Sequence, residues 1–351
     1  MYDCPNNPLR ADRLLTSRTD DLYIAGLIAG RVVYVSNNTL LIVRDNRLFG
    51  SEDYGATWKR FGAVPLNYSN RVLSFNTLLR RFSRRGVHHC VKVDSEYFLI
   101  ANGSVYAIST SGVVRLDSVR GNRPLVVQGN EQGVHYGEYR SNPERSPVAV
   151  WKLTHAGKET TPVAWFNGVR HIHGVFHDPH EGNWWVTTGD HDEEAGIWKT
   201  NDEFLTVQRV VGGSQRYRAV QLLFAQSHIY FGSDAPNEQN HIYRMDRQGR
   251  KVEQLQQVGG PVFYGCKVGA SLFFSTAVEP SSVNKTRYAE VWRSDDGSSW
   301  RRILRFRKDI LPMKWFQYGQ VLFPSGEGDG QHLYCTPFAT EMHGRTLVVT
   351  L

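Results

Sequence analysis

Seven short stretches of the 351-residue chain share one pattern: an apolar residue, an aromatic, then a turn two or three residues on. They read RLFGSED, SVYAIST, AVWKLTH, GIWKTND, HIYRMDR, EVWRSDD and HLYCTPF. The aromatics are Phe49, Tyr106, Trp151, Trp198, Tyr243, Trp292 and Tyr334, spaced by 57, 45, 47, 45, 49 and 42 residues. A period of this length corresponds to one four-stranded sheet that cannot bury its faces alone and must stack on neighbours. Each unit has β-rich runs on both sides of the aromatic, such as HIYFGSD and NWWVTTGD before it and LTVQRVV and SWRRILRF after it. Val, Ile, Tyr, Phe and Trp fill these runs, and Gly, Asn, Asp and Ser fill the joints. The expected fold is therefore all-β, a seven-bladed β-propeller of four-stranded antiparallel blades, with six blades as the alternative count. We expect one propeller domain over residues 1–351. The long first spacing marks a basic insertion at about 66–86, between blades 1 and 2.

Composition bears on partners and compartment. The formal net charge of +7 and the pI near 9.2 favour an anionic partner. No nucleic-acid-binding motif accompanies the charge, so an acidic glycan is expected and nucleic acid is not. No run of about 18 apolar residues is present, so no membrane partner is expected. The N-terminus MYDCPNNPLRADRLL shows no apolar signal region, which suggests a cytoplasmic protein unless it is exported another way. Cys4, Cys90, Cys266 and Cys335 are far apart and form no CxxC, arguing against a disulfide framework or zinc knuckle. A monomer without cofactor is expected.

Two of the turns carry a resemblance. GSEDYGATW at 50–58 matches S-x-D-x-G-x-T-W, with Ser51, Asp53, Gly55, Thr57 and Trp58 in place. RSDDGSSW at 293–300 is a second copy, one residue short, and KTNDEF at 199–204 a degraded third. The chain thus resembles the Asp-box (BNR-repeat) propellers, a superfamily that includes sialidases. The resemblance implies the architecture and is nearly silent on chemistry, since binding propellers carry these turns as well.

In such a fold the first strand of each blade lines a central channel. Aligned by repeat position, these strands read GVHHCVKV, VRHIHGVF, QRYRAVQL, PVFYGCKV and MKWFQYGQ. One register places His89, His173, Arg218 and Tyr264 at a common level. His171 and Arg216 lie two residues earlier on the same face. Lys314 is the candidate from the fifth strand. Loop acids at the same mouth include Asp234 and, in equivalent positions, Glu138 and Asp190, with Arg140 and Tyr136 beside them; Trp184, Trp185 and Phe316 add aromatic wall. The insertion NRVLSFNTLLRRFSRR has a loosely helical pattern, and its arginines suit one wall of an anion-binding cleft.

Three chemistries fit this set. β-Elimination on an acidic polysaccharide needs a cation for the uronate carboxylate, a base for the C5 proton and an acid for the leaving oxygen. Arg218 backed by Arg216 suits the first role, His173 the second, and Tyr264 or His89 the third; propeller-fold polysaccharide lyases use similar residue types. A sialidase-like glycoside hydrolase would draw on Arg216, Arg218, Arg140, Tyr264, Glu138 and Asp190, but the expected FRIP-type arginine motif is replaced by PLRADR at best. A metal site would draw on His171, His173 and His191, with His177 and His180 as further imidazoles and Asp190 or Asp192 as oxygen ligands. A non-catalytic glycan- or protein-binding propeller is the reading without chemistry.

Overall fold

The structure, a computed structural model, describes residues 23–66, 76–109, 112–154 and 159–351. Cys4, the arginines of PLRADR and the first half of the 66–86 insertion lie outside these residues. The described residues form seven four-stranded antiparallel sheets, the blades of a β-propeller. Their contacts group into two compact units. One comprises the chain up to Val87 together with Tyr264–Leu351; it holds blades 1, 6 and 7. The other, His88–Phe263, holds blades 2 to 5. Among the described residues, no helix is long and apolar enough to cross a membrane.

Six blades follow the chain order strand by strand. Blade 4 is representative: β14 (His171–His177), β15 (Trp184–Gly189), β16 (Gly196–Thr200) and β17 (Gln208–Gly212), each paired to the next. In these six, the repeating aromatic falls on the third strand, at the point where one residue of the fourth strand is skipped in the pairing. In blade 7 the sequence leaves open whether TLVVT at 346–350 or LYIAG at 22–26 forms the outer strand, and the structure uses the second, from Tyr23. The blade's order is β26 (Gln320–Leu322), β27 (His332–Phe338), β28 (Arg345–Thr350) and then β1 (Tyr23–Ala29). Tyr334 therefore sits on a second strand, and the N-terminal strand completes the last sheet. The skipped residue, Ala25, falls on β1 as it does on other fourth strands. Sharing a blade between the two chain ends leaves β28 with a partner on both edges, which blunts a sheet edge that would otherwise be open.

Sheet faces bury apolar clusters. In the first unit Phe273, Val291, Phe306, Leu333 and Leu347 are almost fully enclosed, and in the second Tyr136, Trp185, Phe231 and Ile172 are. Blades that are covered on both faces explain runs such as WWVTTG, buried at every residue.

The acidic turns have a common local structure. Asp53 accepts from Thr57 N at 2.8 Å, Thr57 Oγ1 at 2.6 Å and Ser51 Oγ at 2.7 Å, while Gly55 N donates to Ser51 Oγ. These bonds hold the Asp53 carboxyl down at about 2. Asp296 takes the same role for Ser298 and Ser299, and Asp202 for Thr206. Gly55 has φ +91°, a conformation open to glycine at little cost.

The insertion ends in helix α1 (Thr77–Ser83), capped by Asn76 Oδ1 at 2.8 Å from Leu79 N. Two of its arginines already have partners: Arg81 is buried against Asp309 (2.6 Å) and the Phe316 carbonyl (2.7 Å), and Arg80 pairs with Asp45. These two anchor the helix within its own unit, which leaves Arg84 and Arg85, among the described residues, as the arginines of the insertion open to an anion. Lys314 lies on a four-residue helix, Met313–Phe316, instead of a strand, with its ammonium over the Trp315 ring.

Candidate functional site

The site is built from the start of β14 and the segments beside it. Regular alternation would place His171 and His173 on one face of the strand. The pairing shows how the fold sharpens this: Ile172 faces Thr188 and Gly174 faces Thr187, so His173 is the extra residue of a bulge. Bulges re-aim a side chain. The equivalent bulged residue of blade 1 is Val33, a core apolar residue. Gly174 permits the local kink, since a Cβ there would lie 2.3 Å from Phe176 Cζ. Both imidazoles are buried, His173 to 2% exposure, with ring centroids 5.1 Å apart.

Asp190 directly follows β15 and meets them. Its Oδ1 lies 3.4 Å from His171 Nε2, 3.6 Å from His173 Nε2 and 3.1 Å from Arg218 Nη2. Its Oδ2 takes Arg170 Nη1 at 3.0 Å. Arg218 also reaches the Asp190 carbonyl at 3.1 Å and Asp234 Oδ2 at 3.3 Å. Gly189 leaves room for this packing: a Cβ there would stand 3.0 Å from Arg218 Cγ and 3.5 Å from His173 Cε1. Each imidazole turns its other nitrogen to a backbone carbonyl, His171 Nδ1 to Arg140 O (3.4 Å) and His173 Nδ1 to Ala219 O (3.2 Å). Tyr139 closes over His171 at 4.1 Å between ring centroids.

The electrostatics follow from enclosure. Burial pushes the His173 pKa down to about 4, so its ring is neutral near neutral pH. Burial works against ionised Asp190, but the neighbouring imidazoles and the Arg218 charge outweigh it and hold the carboxyl well below the usual range. Burial raises the Tyr139 phenol.

Arg218 immediately precedes β18 (Ala219–Phe224) and joins the cluster through Asp190. The other expected site residues fall elsewhere. Arg216 lies on a short 3₁₀ turn and points away from Arg218, over the Tyr217 and Tyr243 rings, with Nη2 on the Val252 carbonyl at 2.8 Å. Glu138 is buried and engaged by Arg140 Nε (2.6 Å), Trp151 Nε1 (3.1 Å) and Ala149 N (3.3 Å). It braces its own loop and leaves Asp190 without a carboxylate partner of equivalent role. Arg140 is spent on Glu138, Asn142 and the Pro147 carbonyl. Tyr136 is wholly enclosed, its hydroxyl accepting Arg120 N, and Trp184 and Trp185 are core residues; none of the three presents a face to a ligand. His89 lies on β6 (Val87–Val93) with Nε2 at 2.9 Å from the Pro124 carbonyl. Tyr264 lies on β22 (Val262–Val268), half-buried, in the first unit. His191 is exposed and stands outside the cluster; Asp190 is the third member beside the two histidines. Arg170, Asp234 and Tyr139 complete the site. Asp234 was among the loop acids named from the sequence, but the signal for Arg170 and Tyr139 was faint, since nothing local marks them as facing Asp190.

No family model matches the chain, and no curated protein does. Solved structures match in fold. A chain of the mitotic checkpoint complex superposes with a TM-score of 0.59 at 9% identity, covering 99% of both chains. YCF48 from Cyanidioschyzon merolae gives 0.57 at 12% identity over 92% of this chain and 96% of that one. An oligogalacturonate lyase in complex with manganese gives 0.55 at 11% identity over 93% and 90%. The chain spans 48% of a puromycin hydrolase (TM-score 0.52, 11% identity, 85% of this chain) and 24% of the tricorn protease. At these identities the likeness fixes the fold and leaves the chemistry to the site: this chain has the seven-bladed β-propeller fold.

Proposed function

We propose that the protein is a carbohydrate-active enzyme that cleaves an acidic, uronate- or sialate-containing glycan, by lyase-type β-elimination. The observation that carries this reading is the convergence of two imidazoles, two guanidiniums and a carboxylate around Asp190. Arg170 and Arg218 are the groups suited to a sugar carboxylate, and such a cluster suits stabilisation of the enolate that forms at the abstraction step. His173 is too enclosed to reach a sugar carbon, so it positions the others. His89, in the same unit as the cluster, is the proton-transfer candidate, tested by His89→Ala. One structural neighbour is named an oligogalacturonate lyase; the same substrate class is proposed here on site chemistry. In this reading the Asp53 and Asp296 turns are Asp-boxes, and the sialidase-like relationship is one of scaffold.

A hydrolase with paired carboxylates is the weaker reading, because Glu138 is consumed by three hydrogen bonds. A glycan-binding propeller without turnover is the second reading, favoured by how fully the arginines of the site are already paired. Incubation with polyuronates decides among them. Ultraviolet absorbance of an unsaturated product supports the lyase, new reducing ends without that absorbance support hydrolysis, and retention on a glycan surface without turnover supports binding alone.

A further inference from the structure

We propose that His171, His173 and Asp190 form a binding site for one divalent transition-metal ion, with His171 Nε2, His173 Nε2 and Asp190 Oδ1 as its ligands. Both Nδ1 atoms face backbone carbonyls. A carbonyl only accepts, so each Nδ1 carries the ring proton and each Nε2 of a neutral ring presents a lone pair. Those two lone pairs and a carboxylate oxygen lie within 4.8 Å of one another. At 3.4 and 3.6 Å from Asp190 Oδ1, each Nε2 meets the carboxylate either by donating a proton to it or, in the tautomer set by the carbonyls, across a shared cation. His171 Nε2 is buried and has no aligned hydrogen-bond partner, which is costly in an enclosed site.

The surroundings are those of a ligand set. Imidazoles that bind metal donate their second nitrogen to a carbonyl or carboxylate, which fixes the tautomer and aims the ring. Both histidines do so. Arg170 on Oδ2 orients the Asp190 carboxylate and leaves Oδ1 facing the rings. Oδ1 has two acceptor directions, enough for Arg218 and an ion. Two imidazoles and a carboxylate suit Zn²⁺, Mn²⁺, Fe²⁺ or Co²⁺ and not the all-oxygen preference of Ca²⁺ or Mg²⁺. Three protein ligands leave a position for water or a substrate oxygen. Charge bookkeeping agrees. Arg170 and Arg218 are balanced by Asp190 and Asp234, so a divalent ion would add the surplus positive charge a glycan carboxylate needs. That last point rests on the lyase reading; the ligand geometry does not.

The test uses full-length protein without a histidine tag, stripped with chelator and titrated with Co²⁺, Zn²⁺ and Mn²⁺ by calorimetry, with Co²⁺ also followed by its visible absorption. We expect one ion per chain at micromolar concentrations, a raised melting temperature, and no response to Mg²⁺. In His171→Asn and Asp190→Asn, affinity falls by more than the roughly 10–100-fold that loss of an outer partner costs. Absence of binding to folded wild-type protein overturns the proposal, whatever the variants do. So does undiminished binding in both variants, if circular dichroism shows them folded. A proton bridging His171 and Asp190 instead would give no Co²⁺ band at all. Stripped and loaded protein are also assayed on polygalacturonate. Binding without turnover sinks the lyase reading and leaves the metal site; turnover with no ion bound does the reverse.

Discussion

The segment RHIHGVFHDPH divides its polar residues among four jobs. Arg170, His171 and His173 enter the cluster around Asp190. His177 packs edge-on against Trp184, 5.0 Å between ring centroids. His180 is exposed, its backbone N bonded to Asp178 Oδ1. Asp178 is fully buried and paired with Arg247, whose Nε also bonds the Gln226 carbonyl. Removing one member of such a pair leaves the other charge buried and alone. Arg247→Leu and Asp178→Asn should each lower unfolding free energy by about 3–5 kcal/mol in urea titrations. A loss under about 1 kcal/mol would mean that water reaches the pair. At Gly189 the test is functional. Gly189→Ala presses its methyl on Arg218, so affinity for acidic oligosaccharide should drop at least tenfold while far-ultraviolet circular dichroism stays native. Unchanged affinity would place the ligand elsewhere.

At the scale of the element, local rules compete with packing. The turn at 200–206 copies the hydrogen bonds of the turn at 51–57, yet where Gly55 stands it has Phe204 at φ +74°. A left-handed backbone at a bulky residue costs about 1–3 kcal/mol. Burying the ring beside Trp184 and His135 recovers more, since truncating a core Phe costs about 3–5 kcal/mol. Phe204→Gly should therefore destabilise the protein although it relieves the backbone; a rise in melting temperature would refute this ordering. Gly55→Ala carries only the penalty, because its Cβ would come 3.1 Å from Trp58 Cζ2 at φ +91°. A loss of about 1 kcal/mol or more is expected by thermal unfolding. The bulge at His173 is the same competition in a strand: one extra residue disturbs the ladder and turns an imidazole toward Asp190.

The whole molecule should be acid-sensitive through its enclosed imidazoles. Burial lowers His135 to about 3 in the second unit and His343 to about 4 in the first. Both groups have folded pKa values below the ordinary 6.5, so the unfolded chain binds the protons first. Stability is full above pH 6.5 and declines as pH falls toward 4, with a slope of up to about 1.4 kcal/mol per pH unit per imidazole. Urea midpoints measured from pH 7.5 to 4 should show it, and His135→Phe should flatten the slope by about one proton. An unaltered slope would show that His135 is not responsible.

The seven-fold period and the four-stranded unit were legible in the residues, because a sheet covered on both faces must repeat its aromatic and its turns at a fixed interval. The acidic turns were legible too, being made of bonds between residues at most four positions apart. The phase of blade 7 was not: Tyr334 imitates a third-strand aromatic, and only the pairing of Tyr23–Ala29 with Arg345–Thr350 shows otherwise. Nor was the full gathering of charges around the two histidines, although Asp190 was a candidate oxygen ligand. Asp190, Arg218 and Asp234 are separated by 28 and 16 residues, and only the pairing of their strands brings them together, while a bulge turns His173 toward them. Periodicity is a property of neighbours along the chain, so sequence carries it. Convergence of charges is a property of neighbours in space, and the tertiary structure alone decides it.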